Sequence, residues 1–428
     1  MKKLLAVMLI PFFLAPVPII STDKGTKYSQ ANLFQLQQTA ANQTLYFSTI
    51  PINPTAKQDI TTYHDADLTL SAEIIGANQP LQIVNMEINS QQLPVFELSN
   101  GSYIVAAKQD VTEDTIVSQR SISQDFWLQP HFTVYSQPYV YGTSSVRTSL
   151  QAFQKVHADQ VATTPKGIFY DIEGKGWIAE SDLSLADNRM IKVQDLLNQK
   201  YNKANYSIFV KQLDTQASVG VNADKTMYSA SIAKLATLYY VQHKLNNGSI
   251  KSKDTLKYIG AVNHFYGDYS PLGSGDMPKK ADNANYSIDF LLQAVAKHSD
   301  NVATNLLGYY VAHQYDKDFH NHIQSLSGSY WDMEKRDLSA KEAALLMEAI
   351  YYQKGRLTTY LTKTDFDQQR IPKNIDVPVA HKIGDAYDYR HDVAIVYAKS
   401  PYIISIFTND SSYDKITAIS DDIYAILK

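Results

Sequence analysis

The sequence predicts a multidomain chain in which small all-β barrels precede an α/β domain whose antiparallel sheet is flanked by helices. Between about residues 43 and 185, short runs of Val, Ile, Tyr, Phe and Thr alternate with Pro, Gly, Asn and Ser, which is typical of strands joined by turns. From about residue 190, strand-like runs flank a block of helical periodicity, and the last segment is again helical. That order fits a sheet covered by helices on each face.

The composition is that of a globular protein and excludes several classes of function. Hydrophobic residues make up 44% and charged residues 19% of the 428 residues, as in ordinary folded domains. The net charge is −4 and no long basic block is present, so nucleic acid is not an expected partner. The chain has no cysteine, which excludes disulfides, thiol catalysis and cysteine-based metal sites.

Residues 1–21 are predicted to be a signal peptide or an N-terminal anchor. Lys2 and Lys3 precede an uncharged apolar stretch over residues 4–20, the order found in secretory signals. Three prolines in that stretch disfavour a straight membrane-spanning helix. The polar residues 22–42 are predicted to be a linker. The protein is therefore expected to be extracellular or in the cell envelope, with membrane contact only through residues 1–21 if they are not cleaved.

Two β-barrels are predicted, over residues 43–118 and 125–186, because two parts of this region look alike. The first contains Val95-Phe96, Gly101 and Tyr103-Ile104, and the second contains Ile168-Phe169, Gly174 and Trp177-Ile178. With Gly176-Trp177-Ile178 near the last strand, the region resembles tandem Src-homology-type bacterial barrels. The resemblance implies binding to a cell-wall polymer; the alternative is that both units are spacers without a ligand.

The first chemical motif is Ser231-Ile232-Ala233-Lys234, at the start of a predicted helix that ends at Asn247-Gly248. A lysine three residues after a serine shares its helix face. A serine hydroxyl is a poor nucleophile until a base takes its proton, and a helix N-terminus favours developing negative charge. Ser231 is therefore a candidate nucleophile, with Lys234 as its base.

Two further motifs follow in the same half of the chain. Ser299-Asp300-Asn301 separates two predicted helices, and its alternative interpretation is a helix N-cap. Lys382-Ile383-Gly384 lies in the predicted strand 379–383. On an edge strand, Lys382 would supply positive charge for an acidic substrate tail. Gly384 would let a ligand approach the backbone closely.

In this order, the three motifs resemble the S-x-x-K, S-D-N and K-T-G set of class A β-lactamases and penicillin-binding D,D-peptidases. The resemblance covers about residues 190–428. It implies acylation of Ser231 and an oxyanion hole formed by the backbone N–H groups of Ser231 and Asp385, and neither a cofactor nor a metal is expected. The implied catalytic residues are Ser231, Lys234, Ser299 and Lys382, and the implied substrate-binding residues are Asn301, Gly384, Asp385 and Arg390.

This chain departs from the family pattern in two places. Ile383 replaces the Thr or Ser whose hydroxyl helps to hold the substrate carboxylate; Arg390 could compensate, or could be a solvent-facing hairpin residue. The Glu-x-x-Leu-Asn pattern of the water-activating loop is missing, and the loop looks shortened. Glu334 is the acid that we nominate in its place, with a surface charge as the alternative. Without a water activator, a penicilloyl ester is expected to persist.

The expected function is therefore that of an active-site-serine hydrolase. Its expected substrates are D-Ala-D-Ala-type wall peptides, β-lactams, or both. One alternative is a true class A β-lactamase. Another, motivated by Ile383, is a wall-binding envelope protein with a vestigial hydrolase domain. His320-Asn321-His322 resembles a metal clip without a third ligand at useful spacing, so both histidines are expected at the surface.

Overall fold

The computed structural model describes residues 45–113, 116–138 and 145–428. The predicted signal segment 1–21 and linker 22–42 lie outside the described residues. The described chain divides into two compact units: residues up to 122 with 134–146 and 160–177, and residues 123–133 and 147–159 with 178–428. Among the residues described, none of the helices combines the length and apolar character needed to cross a membrane.

The N-terminal part is built from strands, as the alternating pattern predicts. The apolar runs over residues 81–88, 102–106 and 132–135 each contain a strand. The strands are β1 (Thr55–Ala56), β2 (Ile60–Tyr63), β3 (Ser71–Ile75), β4 (Ile83–Ile88), β5 (Pro94–Leu98), β6 (Tyr103–Val105), β7 (Val111–Thr112), β8 (Ser118–Leu128), β9 (Val134–Tyr135), β10 (Lys155–Thr164), β11 (Gly167–Ile172), β12 (Gly176–Ala179) and β13 (Leu183–Ser184).

These strands form a β1-β7 pair and two larger sheets, ordered β3-β2-β6-β5-β4 and β13-β8-β10-β11-β12-β9. In the five-stranded sheet, Phe96 and Ile104 are cross-strand partners and both are fully buried. The ring of Phe47 lies 5.7 Å from that of Phe96. Trp177 is also buried. The strands are confirmed, whereas closed barrels are not.

The C-terminal part contains both helices and strands. Its strands are β14 (Tyr206–Gln212), β15 (Ser218–Val221), β16 (Thr226–Tyr228), β17 (Thr255–Lys257), β18 (Asn285–Ser287), β19 (Asp337–Ser339), β20 (Val379–Ala386), β21 (Tyr389–Val396) and β22 (Tyr402–Asn409). Its α-helices are α1 (Arg189–Leu196), α2 (Lys234–Asn246), α3 (Ile288–His298), α4 (Asn301–Tyr310), α5 (Lys317–Ser327), α6 (Ala340–Gln353), α7 (Leu357–Leu361) and α8 (Tyr413–Leu427). Short helical turns cover Glu180–Asp182, Leu197–Tyr201, Ala230–Ala233, Gly260–Asn263 and Ile371–Asn374.

Five of these strands form an antiparallel sheet ordered β15-β14-β22-β21-β20, with β20 at one edge. The central strand β22 is buried at every residue except its last, because both faces of the sheet are covered. One face packs with residues of α1 and α8, and the other with residues of α2 to α6. The prediction of an antiparallel sheet flanked by helices is therefore confirmed.

Candidate active site

Ser231 lies in the 3₁₀ turn Ala230–Ala233, directly before α2. Ala230 has a positive φ of 50°, a conformation that costs a residue with a side chain free energy and often marks a functional site. Ser231 itself is 8% exposed. The predicted helix start is therefore a tight turn that leads into the helix and leaves the serine barely accessible.

The second motif is the junction between α3 and α4. Ser299 ends α3 in the left-handed conformation, with φ 54°. Asp300 is the N-cap of α4, and its carboxylate accepts the N–H of Ala303 at 2.8 Å. The N-cap interpretation is thus correct for Asp300. The left-handed backbone of Ser299 changes the direction of the chain, so that α4 begins two residues later, at Asn301.

The third motif brings the edge strand β20 against the serine turn. A Cβ atom added to Gly384 would lie 2.5 Å from the carbonyl oxygen of Ser229 and 2.9 Å from the side chain of Ile232. No real Cβ atom tolerates such a distance, so glycine is required for this close approach. The backbone of β20 therefore passes directly beside the turn that carries Ser231.

Two lysine amines converge on Ser299. Lys234 Nζ donates to the carbonyl oxygen of Ser299 at 2.6 Å and to Asn301 Oδ1 at 2.6 Å, and lies 3.4 Å from Ser299 Oγ. Lys382 Nζ donates to Ser299 Oγ at 2.8 Å and to the carbonyl oxygen of Ile383 at 3.0 Å. The structure thus joins residues from all three motifs in one hydrogen-bonded network.

Both amines are buried, and burial disfavours their charged forms. Burial lowers the pKa of Lys234 well below its ordinary value, and the positive charge of Lys382 lowers it further. Burial also lowers the pKa of Lys382 to about 7, although the carboxylate of Asp392 opposes this shift. Near neutral pH, Lys234 is therefore suited to accept a proton and Lys382 to exchange one.

A loop over residues 269–279 wraps around the second motif. One N–H of the Asn301 side-chain amide donates to the carbonyl oxygen of Ser270 at 2.7 Å. A Cβ atom on Gly273 would lie 2.2 Å from the nitrogen of that amide, so only glycine permits the loop to pass. The substrate-binding role of Asn301 stays a prediction.

Two residues outside the predicted motifs complete this part of the site: Tyr269 lies beside Lys234, and Arg336 lies against the Tyr269 ring. Lys234 Nζ lies 4.5 Å from the centre of the Tyr269 ring, and Arg336 Cζ lies 3.7 Å from the same centre. Arg336 comes from residues 328–339, the connection between α5 and α6. Neither residue belongs to a recognisable motif, so no sequence signal marks them.

Glu334 is engaged with a different loop, the one before Tyr269. Its residue is exposed, and its carboxylate accepts the backbone N–H of Gly267 at 2.9 Å. Asp300, the carboxylate that influences Lys234 electrostatically, accepts N–H groups from Met277 and Ala303 at 2.9 and 2.8 Å. The nomination of Glu334 as a water activator therefore gains no support from its contacts.

Asp385 and Arg390 are cross-strand partners at the outer end of the β20–β21 hairpin. The carboxylate of Asp385 accepts from Arg370 Nη2 at 2.6 Å and from the Tyr413 hydroxyl. Arg390 donates to the carbonyl oxygen of Tyr387 at 3.4 Å. The side chain of Asp385 is thus already hydrogen-bonded within the protein. That its backbone N–H contributes to an oxyanion hole and that Arg390 binds substrate remain predictions.

His391 anchors the same hairpin to the strand before Ser231. Its Nδ1 accepts the N–H of Thr408 at 3.1 Å, so its Nε2–H donates to the carbonyl oxygen of Tyr228 at 2.9 Å. Burial lowers the pKa of His391 to about 4, which keeps the ring neutral. This neutral tautomer can make both bonds at once.

His381, beside Lys382, is buried between two carboxylates. Its Nδ1 lies 3.0 Å from Asp392 and its Nε2 lies 3.2 Å from Asp367. Burial alone lowers the pKa of His381, but the charge of Asp392 and the bonds to both carboxylates outweigh it and raise this pKa to about 9. The imidazolium therefore ties β20 to the segment around residue 367.

We expect this ion cluster to make the free energy of unfolding fall at alkaline pH. Because the folded pKa of His381 is raised, its stabilisation is complete below pH about 6.5 and is lost as pH rises through about 9. In urea unfolding of the wild type, the free energy of unfolding should fall by about 3 kcal/mol between these pH values. His381→Gln should not show this fall. The exposed-histidine control His264→Gln should behave as wild type. Parallel curves for wild type and His381→Gln would contradict the charged cluster.

The histidines of the His320-Asn321-His322 segment are half-buried, which corrects the expectation that they lie at the surface. The ring of His320 stacks on that of Tyr330 at 4.6 Å, and the ring of His322 lies 4.4 Å from that of His243. Burial lowers the pKa of both histidines. They belong to aromatic clusters around α5, which sequence spacing could not reveal.

Known proteins resemble parts of this chain. Residues 46–111 match a domain of unknown function, DUF5776, which does not confirm the Src-homology-type resemblance. No curated protein matches the chain. One similar solved structure is PBP-A, with a TM-score of 0.46 and 17% identity; the match covers 56% of this chain and 94% of that one. A PBP-A variant in an acyl-enzyme complex with penicillin G has a TM-score of 0.45, the same identity and the same coverage. A β-lactamase from Sphaerobacter thermophilus has a TM-score of 0.44 and 17% identity, and the match covers 55% of this chain and 94% of that one.

The family assignment comes from the C-terminal part. Residues 188–427, more than half of the chain, match the β-lactamase enzyme family. The match spans the antiparallel sheet, the helices on both of its faces and all three motifs. The chain therefore belongs to the β-lactamase enzyme family.

Proposed function

We propose that this protein is an active-site-serine hydrolase that forms an acyl-enzyme with D-Ala-D-Ala-type wall peptides, β-lactams, or both. One observation carries the proposal: the amines of Lys234 and Lys382 both reach the hydroxyl of Ser299. Such a network moves protons, and it lies where the Gly384 backbone contacts the turn of Ser231. The intact network favours an enzyme over a vestigial scaffold.

Acylation begins with transfer of the Ser231 proton to Lys234. A neutral amine has two N–H donors and one lone pair. Lys234 uses two donors on the carbonyl oxygen of Ser299 and on Asn301 Oδ1. Its third contact, with Ser299 Oγ, is long at 3.4 Å, so the lone pair can accept the proton of Ser231. The bond from Ser231 Oγ to the substrate carbonyl carbon then forms, and negative charge develops on the carbonyl oxygen.

The backbone N–H groups of Ser231 and Asp385 are the proposed oxyanion hole. The close packing of Gly384 on the serine turn supports this role, because it places the next residue of β20 near Ser231. Preorganised N–H donors of this kind stabilise the developing charge by about 3–4 kcal/mol in serine hydrolases.

Cleavage of the carbon–nitrogen bond requires a proton for the leaving nitrogen. The hydroxyl of Ser299 can deliver it, since Lys382 donates to Ser299 Oγ at 2.8 Å and can replace the transferred proton. The proton that Lys234 took from Ser231 then passes through the Ser299 hydroxyl to Lys382, which restores both amines. A pKa of about 7 for Lys382 suits such an exchange near neutral pH. Water then attacks the ester carbon, releases the acid and restores the Ser231 hydroxyl.

The contacts of the nearby carboxylates support slow release of the acyl group. Asp300 already accepts two backbone N–H groups, and Glu334 is bound to Gly267. Among the described residues, neither carboxylate has a hydrogen bond to Ser231, beside which a general base for the attacking water would have to lie. We therefore place the protein with slow-deacylating peptidases or penicillin-trapping proteins rather than with efficient β-lactamases.

Lys382 is the proposed partner of a substrate carboxylate; Arg390 pairs with Asp385, so its side chain starts from the face of the sheet opposite Lys382 and would have to reach around the end of the hairpin to join it. Ile383 has no hydroxyl, and its side chain follows Lys382 on the strand, so it points to the opposite face of the sheet. Arg390 lies on the neighbouring strand with one weak contact to a carbonyl oxygen.

We also propose, from residues 1–21, that the protein acts outside the cytoplasm, and that the N-terminal part binds wall polymer.

Intact-mass spectrometry with penicillin G and with a D-Ala-D-Ala peptide tests this function. We expect a covalent adduct of the full chain with penicillin G that survives for minutes or longer after excess penicillin is removed. Digestion should place the adduct on Ser231. Rapid turnover of nitrocefin without a lasting adduct would instead indicate a true β-lactamase, and neither adduct nor turnover with any substrate would reject acyl transfer.

A further inference from the structure

Arg336 is the central residue of the connection between α5 and α6. Its guanidinium is held by three carbonyl oxygens: Nε donates to Met333 at 2.8 Å, and Nη2 donates to Asp268 at 2.6 Å and to Gly267 at 3.3 Å. Its own carbonyl oxygen accepts the N–H of Ser229 at 2.7 Å. The residue therefore links the loop before Tyr269 to the chain just before the nucleophile.

Tyr269 is equally constrained. Its backbone N–H donates to Asn305 Oδ1 at 2.7 Å, and its hydroxyl donates to the carbonyl oxygen of Ala230 at 3.3 Å. Arg336 Cζ lies 3.7 Å from the ring centre and Lys234 Nζ lies 4.5 Å from it. Such a ring gives the lysine a fixed apolar wall, and a planar guanidinium stacks well on it.

We propose that Arg336 and Tyr269 are a positioning pair for Lys234, in which the guanidinium holds the aromatic ring against the amine so that the amine faces Ser231. This inference rests on the proposed role of Lys234 as the base. It assigns two separable contributions: the ring of Tyr269 fixes the place of the amine, and the charge of Arg336 disfavours its protonated form.

The charged groups that act on Lys234 support the second contribution. Lys382, Arg336 and Lys279 oppose a charge on Lys234, whereas Asp300 favours it. Asp300 is a buried N-cap of α4 with both oxygens bonded. Loss of the Arg336 charge should therefore make Lys234 easier to protonate, and the acylation rate should need a higher pH to reach its maximum.

The test is the rate of Ser231 acylation by a fluorescent penicillin as a function of pH. For Arg336→Gln, we expect the acid limb of the profile to move up by about one pH unit, equivalent to about tenfold slower acylation below it. The high-pH rate should fall as well, because the ring loses the guanidinium that holds it. Arg336→Lys keeps the charge and should keep the midpoint. Tyr269→Leu should lower the rate at every pH by about tenfold or more, whereas Tyr269→Phe retains the ring and should stay near wild type.

The outcomes separate this inference from the proposed function. If wild type is acylated but Arg336→Gln and Tyr269→Leu both reproduce its profile, the positioning pair is wrong and the enzyme stands. If wild type is not acylated at any pH, both are wrong. Thermal unfolding shows whether Arg336→Gln is misfolded. If it is, the two Tyr269 variants decide: acylation of Tyr269→Leu at the same rate as Tyr269→Phe overturns the pair. Slower acylation of Tyr269→Leu than of Tyr269→Phe supports it.

Discussion

Ser231→Ala is expected to abolish covalent labelling by a fluorescent penicillin, with a rate loss on the order of 10⁴-fold or more. The physical reason is that the substitution removes the oxygen that would form the ester. Folding should be preserved, because the serine lies in a turn and its side chain is small. The measurement is the rate of label incorporation into the intact chain, with thermal unfolding as the check on structure.

Ser229→Ala is the matched control for that result. Ser229 is two residues away and fully buried, and its hydroxyl has no hydrogen-bond partner among the residues that the structure describes. Removal of an unpaired buried hydroxyl costs little or is stabilising, so labelling should stay at the wild-type rate. Equal labelling of Ser231→Ala and wild type would show that the reacting group is another residue.

Lys234→Met is expected to slow acylation of Ser231 by about 10²- to 10⁴-fold, the usual effect of removing a general base. Methionine retains much of the lysine's length in the buried site but can neither accept nor donate the proton. In wild type, acylation should fall as pH drops through the lowered pKa of Lys234. Lys234→Met should lack this acid limb.

Lys297→Met is the control for the loss of a lysine near the second motif. Lys297 lies in α3 and donates to Gln293 at 3.1 Å, away from the amine network. Its labelling rate and pH profile should match wild type. An acid limb that persists in Lys234→Met would assign the base to another group, with Lys382 as the first alternative because its pKa is about 7.

The elements of the C-terminal part were largely predictable because their apolar periodicity is strong. The helical last segment is α8 (Tyr413–Leu427), and the strand expected at 379–383 lies in β20 (Val379–Ala386). Boundaries differ by a few residues because capping residues such as Ser412 lie outside the apolar pattern. Barrel closure was beyond prediction, since it depends on pairing between distant strands.

The candidate site was predictable only where short motifs carry chemistry. Ser231, Lys234, Ser299 and Lys382 were nominated from their order along the chain, and the structure places three of them in one network. Tyr269 could not be found in this way, because its contact with Lys234 joins distant segments.

By itself, the sequence determined the residue types available for acyl transfer and the local periodicity of the helices and strands around them. The tertiary structure decided which groups meet: the buried amines on Ser299, the Arg336 stack, and the charged His381 between Asp392 and Asp367. The reason is physical, because the pKa of a lysine or histidine depends on burial and on the charges within a few ångströms. Those neighbours are brought together by the folded sheet and helices, not by proximity along the chain.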